Sequence, residues 1–565
     1  MNGGLSNTFT GILCLLGILI SLQVSNAATE KGVEEHCMQQ VDKEGYYNKG
    51  NQLAAQGKYS KAVLAYDKAI AMDANYTIAY YNRANAKLSL QQYSGAIKDY
   101  DVAIAQKPDY LKAIYNRGFA HYSKGSYTEA LKDFDSAISL NPNYGLAYLT
   151  RGIMLIKSKK YKSGIRDIEK ALTFEKGKEE AYYYKGLGHF GLEEYKACES
   201  AMTTALKINP DYRQALLQRG ISRTMRKDYE RGHMDLTRYI DIDNKEPTAF
   251  YHRAVCKYHK RSYTTAYKDL DLAIYYDKKY AKAFHLRGVI SYKTGDEEGA
   301  LKDLNEAIRL DGKNGESYHY RGIVYYNIAK YETSLKDLNK ALKLNYKTAN
   351  THYYKGRCLE QYHLNRPAEA IPCFDAAIAL NNQHIDAYNY RGNAFMSIGN
   401  NRTAEENYNK CLEIDVNYYK AYNNRGIVRG RSGQRDGALR DYSKAIYINS
   451  SCWQAYSNRG SLWVEQYNDY ENALQDFERL AIIRPNYAFA HLKCAEMSVK
   501  LFEHEEAVDH YTRYLELQPH SASAYYQRGL ARSNIMDIEG ACEDFTKALD
   551  MGYRPAKEEW EGLCR

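Results

Sequence analysis

One register, 34 residues long, runs through the chain from Lys43 to Pro555. Writing Tyr80-Tyr81-Asn82-Arg83-Ala84 above Ile114-Tyr115-Asn116-Arg117-Gly118 fixes the step. Continued in both directions, it yields fifteen units: 43–76, 77–110, 111–144, 145–178, 179–212, 213–246, 247–280, 281–314, 315–348, 349–384, 385–418, 419–452, 453–487, 488–521 and 522–555. Thirteen have 34 residues; the tenth has 36 and the thirteenth 35. A period of this size means one supersecondary unit that buries its apolar face only against its neighbours. A length of 565 residues would otherwise suggest three or four separate domains.

The units share an internal grammar. Position 8 is Gly or Ala in nearly every one (Gly50, Ala84, Gly118), and position 20 is small (Ala62, Ala96, Ala130, Gly164, Cys198). Large apolar residues fall at position 24 and Ala at 27. Apolar residues at 4, 8 and 11, and again at 20, 24 and 27, make two stripes of helical period. Small residues at 8 and 20 predict close approach of the two helices. Gly57, Gly125, Gly295, Gly399 and Gly433 mark the turn between them, and Pro108, Pro142, Pro210, Pro485 and Pro519 close five units.

This pattern resembles the tetratricopeptide repeat family over roughly nine-tenths of the chain. The resemblance implies an all-α fold: a right-handed superhelical solenoid of about fifteen helix-turn-helix repeats, with one helix of each pair lining a concave groove. Residues 556–565, with Trp560 and Leu563, read as a short C-terminal capping helix over the last apolar face.

The sequence departs from the family's commonest form at position 7, which is Arg in eleven repeats. Position 23 is Asp in ten, and every one of those ten lies in a repeat that carries the Arg. The four repeats without Arg hold Lys49/Ala65, Lys185/Ala201, Lys355/Cys373 and Cys494/His510 at these two positions. Such covariation predicts contact between the two helices of one repeat, as in Arg117 with Asp133, Arg253 with Asp269 and Arg287 with Asp303. The expected role is structural, since a buried ion pair fixes geometry more than it adds stability.

The resemblance also implies that positions 2, 5, 6, 9, 12 and 13 of the first helix face the groove. There the chain is rich in Tyr, of which it holds 57. Tyr47, Tyr81, Tyr115, Tyr183 and Tyr251 stand at position 5; Tyr122, Tyr258, Tyr292 and Tyr326 at position 12. Asn48, Asn82, Asn116, Asn424 and Asn458 stand at position 6, with Asn51 and Asn85 at position 9. Asn pairs with an extended backbone whatever its sequence, and Tyr supplies apolar area with a polar tip. The arrangement is similar to the asparagine ladder of the O-linked GlcNAc transferase superhelix. Against the carboxylate clamp of chaperone-binding members, Asn51, Asn82 and Lys112 match, but Tyr47 and Asn116 replace two cations. Losing two cations weakens carboxylate capture.

Lys157, Lys159, Lys160, Arg226, Lys227, Lys257, Lys260, Arg261 and Lys293 form a basic edge at the turns of repeats 4 to 8, a candidate for an acidic partner. Repeat ten is irregular, with its insertion, Pro367, and Pro372 inside the expected second helix, where it should kink the helix. Cys542 and Cys564 are placed to bridge the last repeat to its cap, though spacing alone fixes no connectivity.

Residues 1–28 are uncharged and enclose an apolar run from Phe9 to Leu22, followed by Ser25-Asn26-Ala27-Ala28. This reads as a signal peptide over 1–27, then a lead-in over 28–42. The expected compartment is the secretory pathway, with the product extracellular or lumenal and no KDEL-type retention signal. Asn75, Asn401 and Asn449 head glycosylation sequons. No catalytic motif or cofactor fingerprint appears, and no stretch outside the register has room for a catalytic domain. A net charge of +9 spread over the whole chain does not suggest a nucleic-acid binder. The expected function is a non-catalytic scaffold, adaptor or co-chaperone that binds proteins or extended peptides in the groove. The alternative is a membrane-tethered assembly component held by an uncleaved N-terminal anchor.

Overall fold

The computed structural model describes residues 42–175, 177–361 and 365–565. The expected signal peptide and nearly all of the lead-in lie outside them. The described residues are helical throughout, with no strand among them. The chain divides into two compact units, one ending at Lys278 and one beginning at Lys279. The first is built from helix pairs running from Lys43–Ala55 with Tyr59–Met72 to Pro247–His259 with Tyr263–Tyr276. The second runs from Ala281–Lys293 with Glu297–Leu310 to Ala522–Asn534 with Ile538–Asp550, and ends on the short helix Ala556–Leu563. Helix A and helix B denote the first and second helix of each pair.

Within a unit, each helix packs on the next along the chain. Helix A of one repeat also touches helix A of the following repeat, whereas helix B has no comparable contact with the next helix B. The A helices therefore crowd together and the B helices splay, which puts the A face on the inner side of each array.

Small residues set the spacing inside a pair. In repeat four, a methyl group on Gly152 would lie 3.0 Å from the Gly164 carbonyl oxygen, and one on Gly164 would lie 2.8 Å from that of Gly152. Below these contacts sit the fully buried rings at position 24: Tyr66, Tyr100, Phe134, Tyr408, Phe477 and Phe545.

The fifteenth residue of almost every repeat turns the chain in the left-handed region. It is glycine at Gly57, Gly125, Gly295, Gly399 and Gly433, but a residue with a side chain at Gln91, Lys159, Glu193, Lys227, Arg261, Ala329, Phe502 and Met536. The left-handed conformation costs a non-glycine residue about 1–2 kcal/mol, so eight repeats hold this turn against a local preference.

The two repeats of unusual length take up their extra residues before helix B. In repeat thirteen, helix A (Trp453–Leu462) continues into a π-helical turn, Trp463–Tyr467, that accommodates one residue. In repeat ten, helix A stops at Glu360, and helix B (Pro367–Leu380) runs continuously through Pro372.

At the C-terminus, Ala556 is buried against Phe545 and Ala548, with Trp560 and Leu563 packed alongside. Trp560 Nε1 donates to Thr546 Oγ1 at 3.0 Å. A disulfide joins Cys542 to Cys564, and the other described cysteines are free and buried.

Candidate partner-binding groove on the helix A face

The position-7 arginines form the frame on which the groove is hung. Arg117 donates from Nε and Nη2 to both oxygens of Asp133, at 3.0 and 2.6 Å. Arg253 and Arg287 hold Asp269 and Asp303 in the same two-pronged way. The aspartates are buried; that of Asp133 is 5% exposed. Several of these arginines do more than the covariation foretells. Arg117 Nη1 reaches back to Asp101 of the preceding repeat at 2.8 Å, and Arg83, Arg151 and Arg391 reach Asp67, Asp135 and Asp375. One guanidinium therefore ties its own two helices together and ties its repeat to the previous one. The two acceptors stand sixteen residues on either side of the arginine, and because position 25 varies between Asp, Asn, Ser and Thr, no single-residue pattern exposes the second link. Where position 23 is Asn407, Arg391 uses its amide oxygen at 2.7 Å.

The asparagines form a ladder that is partly spent within the protein. Asn82 donates both amide hydrogens, to Tyr47 Oη at 3.0 Å and to Asn51 Oδ1 at 2.9 Å. Asn51 Oδ1 also accepts from Tyr66 Oη at 2.8 Å. The next rung repeats this, with Asn116 on Tyr81 and Asn85, and Tyr100 on Asn85. In the second unit Asn424 bridges Asn389 and Asn393, and Asn458 donates to Asn423. Asn48, with no earlier rung to meet, is exposed. What each full rung leaves over is one acceptor and one donor: Asn82 Oδ1 and Asn51 Nδ2 have no partner among the described residues. That is the complement of one peptide group.

The tyrosines divide by position. At position 5 they serve the junctions between repeats: Tyr47, Tyr81, Tyr115 and Tyr183 pack, tilted or edge-on, against Tyr76, Tyr110, Tyr144 and Tyr212, with ring centres 4.9–5.3 Å apart. Tyr115 also shares a hydrogen bond with Thr150. Tyr251 stands edge-on to its neighbour His252. At position 12, Tyr122 packs on Phe119 and Tyr127, and Tyr258 on His259 and Tyr263. Tyr292 meets Tyr320, and Tyr326 meets Tyr354. Repeats eight to eleven thus carry a run of touching rings along the A face, whereas repeats one to three carry the amide ladder. Lys112 is exposed on the first turn of its helix.

Sequence reasoning missed a group at the centre of the tyrosine run. Arg357, at position 9 of repeat ten, lies with its guanidinium carbon 3.5 Å from the centre of the Tyr390 ring, 5.5 Å from Tyr326 and 5.8 Å from Tyr353. Its Nη1 donates to Tyr353 Oη at 2.9 Å, and its Nε is buried without a hydrogen-bond partner. The nearest carboxylate, Glu360, stays 3.8 Å from that Nε. Burial pushes the Glu360 carboxyl up to about 8 although Arg357 pulls the other way. Arg357 stands outside the Arg/Asp pattern, and nothing in its own repeat marks it.

The basic edge is neutralised only in part. Lys257 pairs with Asp269 at 2.8 Å, Lys260 with Glu230 at 2.5 Å, and Arg226 with Glu199. Lys157 lies over the rings of Tyr122 and Tyr184. Lys159, Lys160, Lys227 and Arg261 remain exposed at the turns. Of the sequon asparagines, Asn75 is exposed between two repeats, Asn401 opens a B helix, and Asn449 uses Oδ1 to accept the Ser451 N–H. Among the described residues no cluster of His, Cys, Asp and Glu is arranged to hold a metal ion, and no helix is long and apolar enough to cross a membrane.

These features define a helical repeat array of the protein-interaction scaffold type, a fold whose members are typically non-catalytic. Tetratricopeptide repeat profiles match residues 50–91, 84–125, 111–144, 281–314, 385–418 and 423–488. The chain belongs to the tetratricopeptide repeat family, whose proteins bind protein or peptide partners. No curated protein matches it in sequence. Among solved structures it is similar to YrrB, described as a TPR protein with an unusual peptide-binding site, at 24% identity over 33% of this chain and 96% of that one, with a TM-score of 0.30. It is also similar to yeast Tom70, at 16% identity over 87% and 96%, with a TM-score of 0.33. A third likeness is to MamA from Desulfovibrio magneticus RS-1, at 22% identity over 30% and 95%, with a TM-score of 0.29.

Proposed function

We propose that the protein is an adaptor or co-chaperone of the secretory pathway, which holds partner proteins or extended peptides along its A-helix faces. The observation that carries this reading is the leftover pair on each asparagine rung. Asn82 Oδ1 accepts a peptide N–H while Asn51 Nδ2 donates to a peptide carbonyl, and the pair recurs one repeat later at Asn116 and Asn85. Backbone recognition of this kind needs no particular side chains, and the neighbouring tyrosines add apolar contact area. The disulfide between Cys542 and Cys564 supports an oxidising compartment, as does the apolar N-terminal run. The exposed turn around Asn75 offers a place for a glycan.

Two measurements test it. A photo-crosslinking p-benzoylphenylalanine is placed in the full chain at Tyr81, on the A face, and separately at Tyr447, which is 82% exposed on helix B. Discrete adducts in native extract are expected from position 81 and not from 447; equal labelling at both, or none at 81, overturns the groove. N-terminal sequencing of the mature chain is expected to start near Ala28. An intact Met1 removes the secretory reading in favour of the tethered alternative.

A further inference from the structure

The position-7 arginines with a well-formed partner have an acceptor oxygen within 3.0 Å, most often a carboxylate shared in two-pronged fashion. Arg357 has none. Its side chain is 18% exposed, it donates to one tyrosine hydroxyl, and its Nε is out of water and unpaired. Leaving a guanidinium this way is costly unless something supplies the missing negative charge. Stacking on Tyr390 offsets only part of that cost. Glu360, the nearest carboxyl among the described residues, is not within hydrogen-bond distance of the guanidinium and is held largely protonated at neutral pH by burial.

The aromatic walls also define what fits. Tyr326, Tyr353 and Tyr390 come from three successive repeats, and their rings pack round the guanidinium. Gln361 Nε2 bonds Tyr326 Oη at 3.4 Å and closes one flank. A flat apolar group would gain nothing from the charge, and a cation would be repelled. The group that completes this cup carries oxygen acceptors and negative charge.

We propose that repeat ten is an oxyanion subsite of the groove, in which Arg357, walled by Tyr326, Tyr353 and Tyr390, holds a carboxylate or phosphate of the bound chain. This rests on the reading of the A face as a partner-binding groove. It adds a fixed anchor to recognition that is otherwise indifferent to sequence, so a partner would dock with one acidic group seated at repeat ten and its backbone running along the face.

The test separates the subsite from the groove. Thermal unfolding of the full chain is followed at constant ionic strength in sodium chloride, sodium acetate and sodium phosphate, for the wild type and for Arg357→Gln. An anion that binds only the folded state raises the midpoint in proportion to the logarithm of its concentration. A rise of 2 °C or more is expected at about 50 mM acetate or phosphate, absent in Arg357→Gln whatever that variant's own midpoint. Equal midpoints in all three salts, or a rise that survives the substitution, overturn the proposal. Which of the two anions acts distinguishes carboxylate from phosphate. A second arm uses fluorescein-labelled Gly/Ser decapeptides that carry a free C-terminal carboxylate, one central glutamate, one central phosphoserine, or no charge. At least one anionic peptide is expected to bind tenfold more tightly than the neutral one, with the preference lost in Arg357→Gln. If no peptide binds but the salt effect stands, the groove reading falls and the anion subsite remains. Anionic and neutral peptides binding equally well would remove the subsite and leave the groove.

Discussion

Repeats one to three and repeats nine to eleven stand on the same frame and solve the groove in opposite ways. In repeats two, three, nine and eleven, an arginine at position 7 grips an aspartate or asparagine in helix B and reaches back to the previous repeat, as Arg117 and Arg321 do, whereas repeats one and ten carry Lys49 and Lys355 there. Over that frame, the first region lays neutral amides whose hydrogen bonds are mutually satisfied, leaving one donor and one acceptor per rung. The second lays touching rings around a guanidinium whose nearest carboxyl, Glu360, stays 3.8 Å away and outside hydrogen-bond distance. The amide ladder is stable when empty. The tyrosine cup is a site whose own stability is incomplete until something occupies it. What varies between repeats is therefore function, and what is repeated is mostly frame.

The largest expected effect tests the shared frame. Asp133→Ala leaves Arg117 only the exposed Asp101 and should cost about 3 kcal/mol, read by native-state hydrogen exchange in helix Tyr127–Leu140, with Asp337→Ala, which leaves Arg321 only the neutral Asn305, costing at least as much. The double substitution Arg117→Met with Asp133→Leu should cost less than Asp133→Ala alone. Asp133 suits this test because Asp269 also pairs with Lys257, so its removal would strand two cations. A costlier double variant, or a large loss in one region and none in the other, breaks the idea of a common frame.

The next effect belongs to repeat ten alone. The Glu360 carboxyl is raised from an ordinary 4.5 to about 8 in the folded protein. The unfolded chain therefore gives up this proton at lower pH than the folded one, and stability is lost as pH climbs from about 4.5 through 8. Glu360→Gln should remove the loss and gain on the order of 3 kcal/mol at pH 9 and almost nothing at pH 4. A gain that is flat with pH would show the carboxyl to be ionised in the fold and the cup already balanced.

The smallest effect lies in the amide ladder. Asn82→Leu removes two neutral hydrogen bonds while Tyr66 keeps its hold on Asn51, so a cost of about 1–2 kcal/mol is expected, equal at pH 5 and pH 9. A marked pH dependence here would erase the contrast with repeat ten.

The helix pairs could be read in the sequence because each repeat states them again. A small residue at 8 faces another at 20, and a large one at 24 fills the space behind. The link between Arg117 and Asp133 was legible for the same reason: two positions that change together across copies of one unit report a contact. The link from Arg117 to Asp101 was not, because position 25 accepts any short oxygen-bearing side chain and so leaves no covariation. The asparagine rungs were visible as residues, but not their bonds, since whether an amide faces a partner or its own neighbour depends on how closely successive A helices approach. The extra residue of repeat thirteen could be counted, but its conversion into the π-helical turn at Trp463–Tyr467 could not, because a loop would take it up equally well.

By itself, the sequence determined the unit, its count and its register, because periodic small and apolar residues allow only one way to bury each face. Tertiary structure alone decided which polar groups are spent and which are left over. Arg117 and Arg357 are the same residue type seven repeats apart in composition's view, yet one is closed by carboxylates and the other ringed by Tyr326, Tyr353 and Tyr390. That difference arises from three adjacent A helices meeting on one face, and a charge is paired or unpaired only with respect to what surrounds it in space.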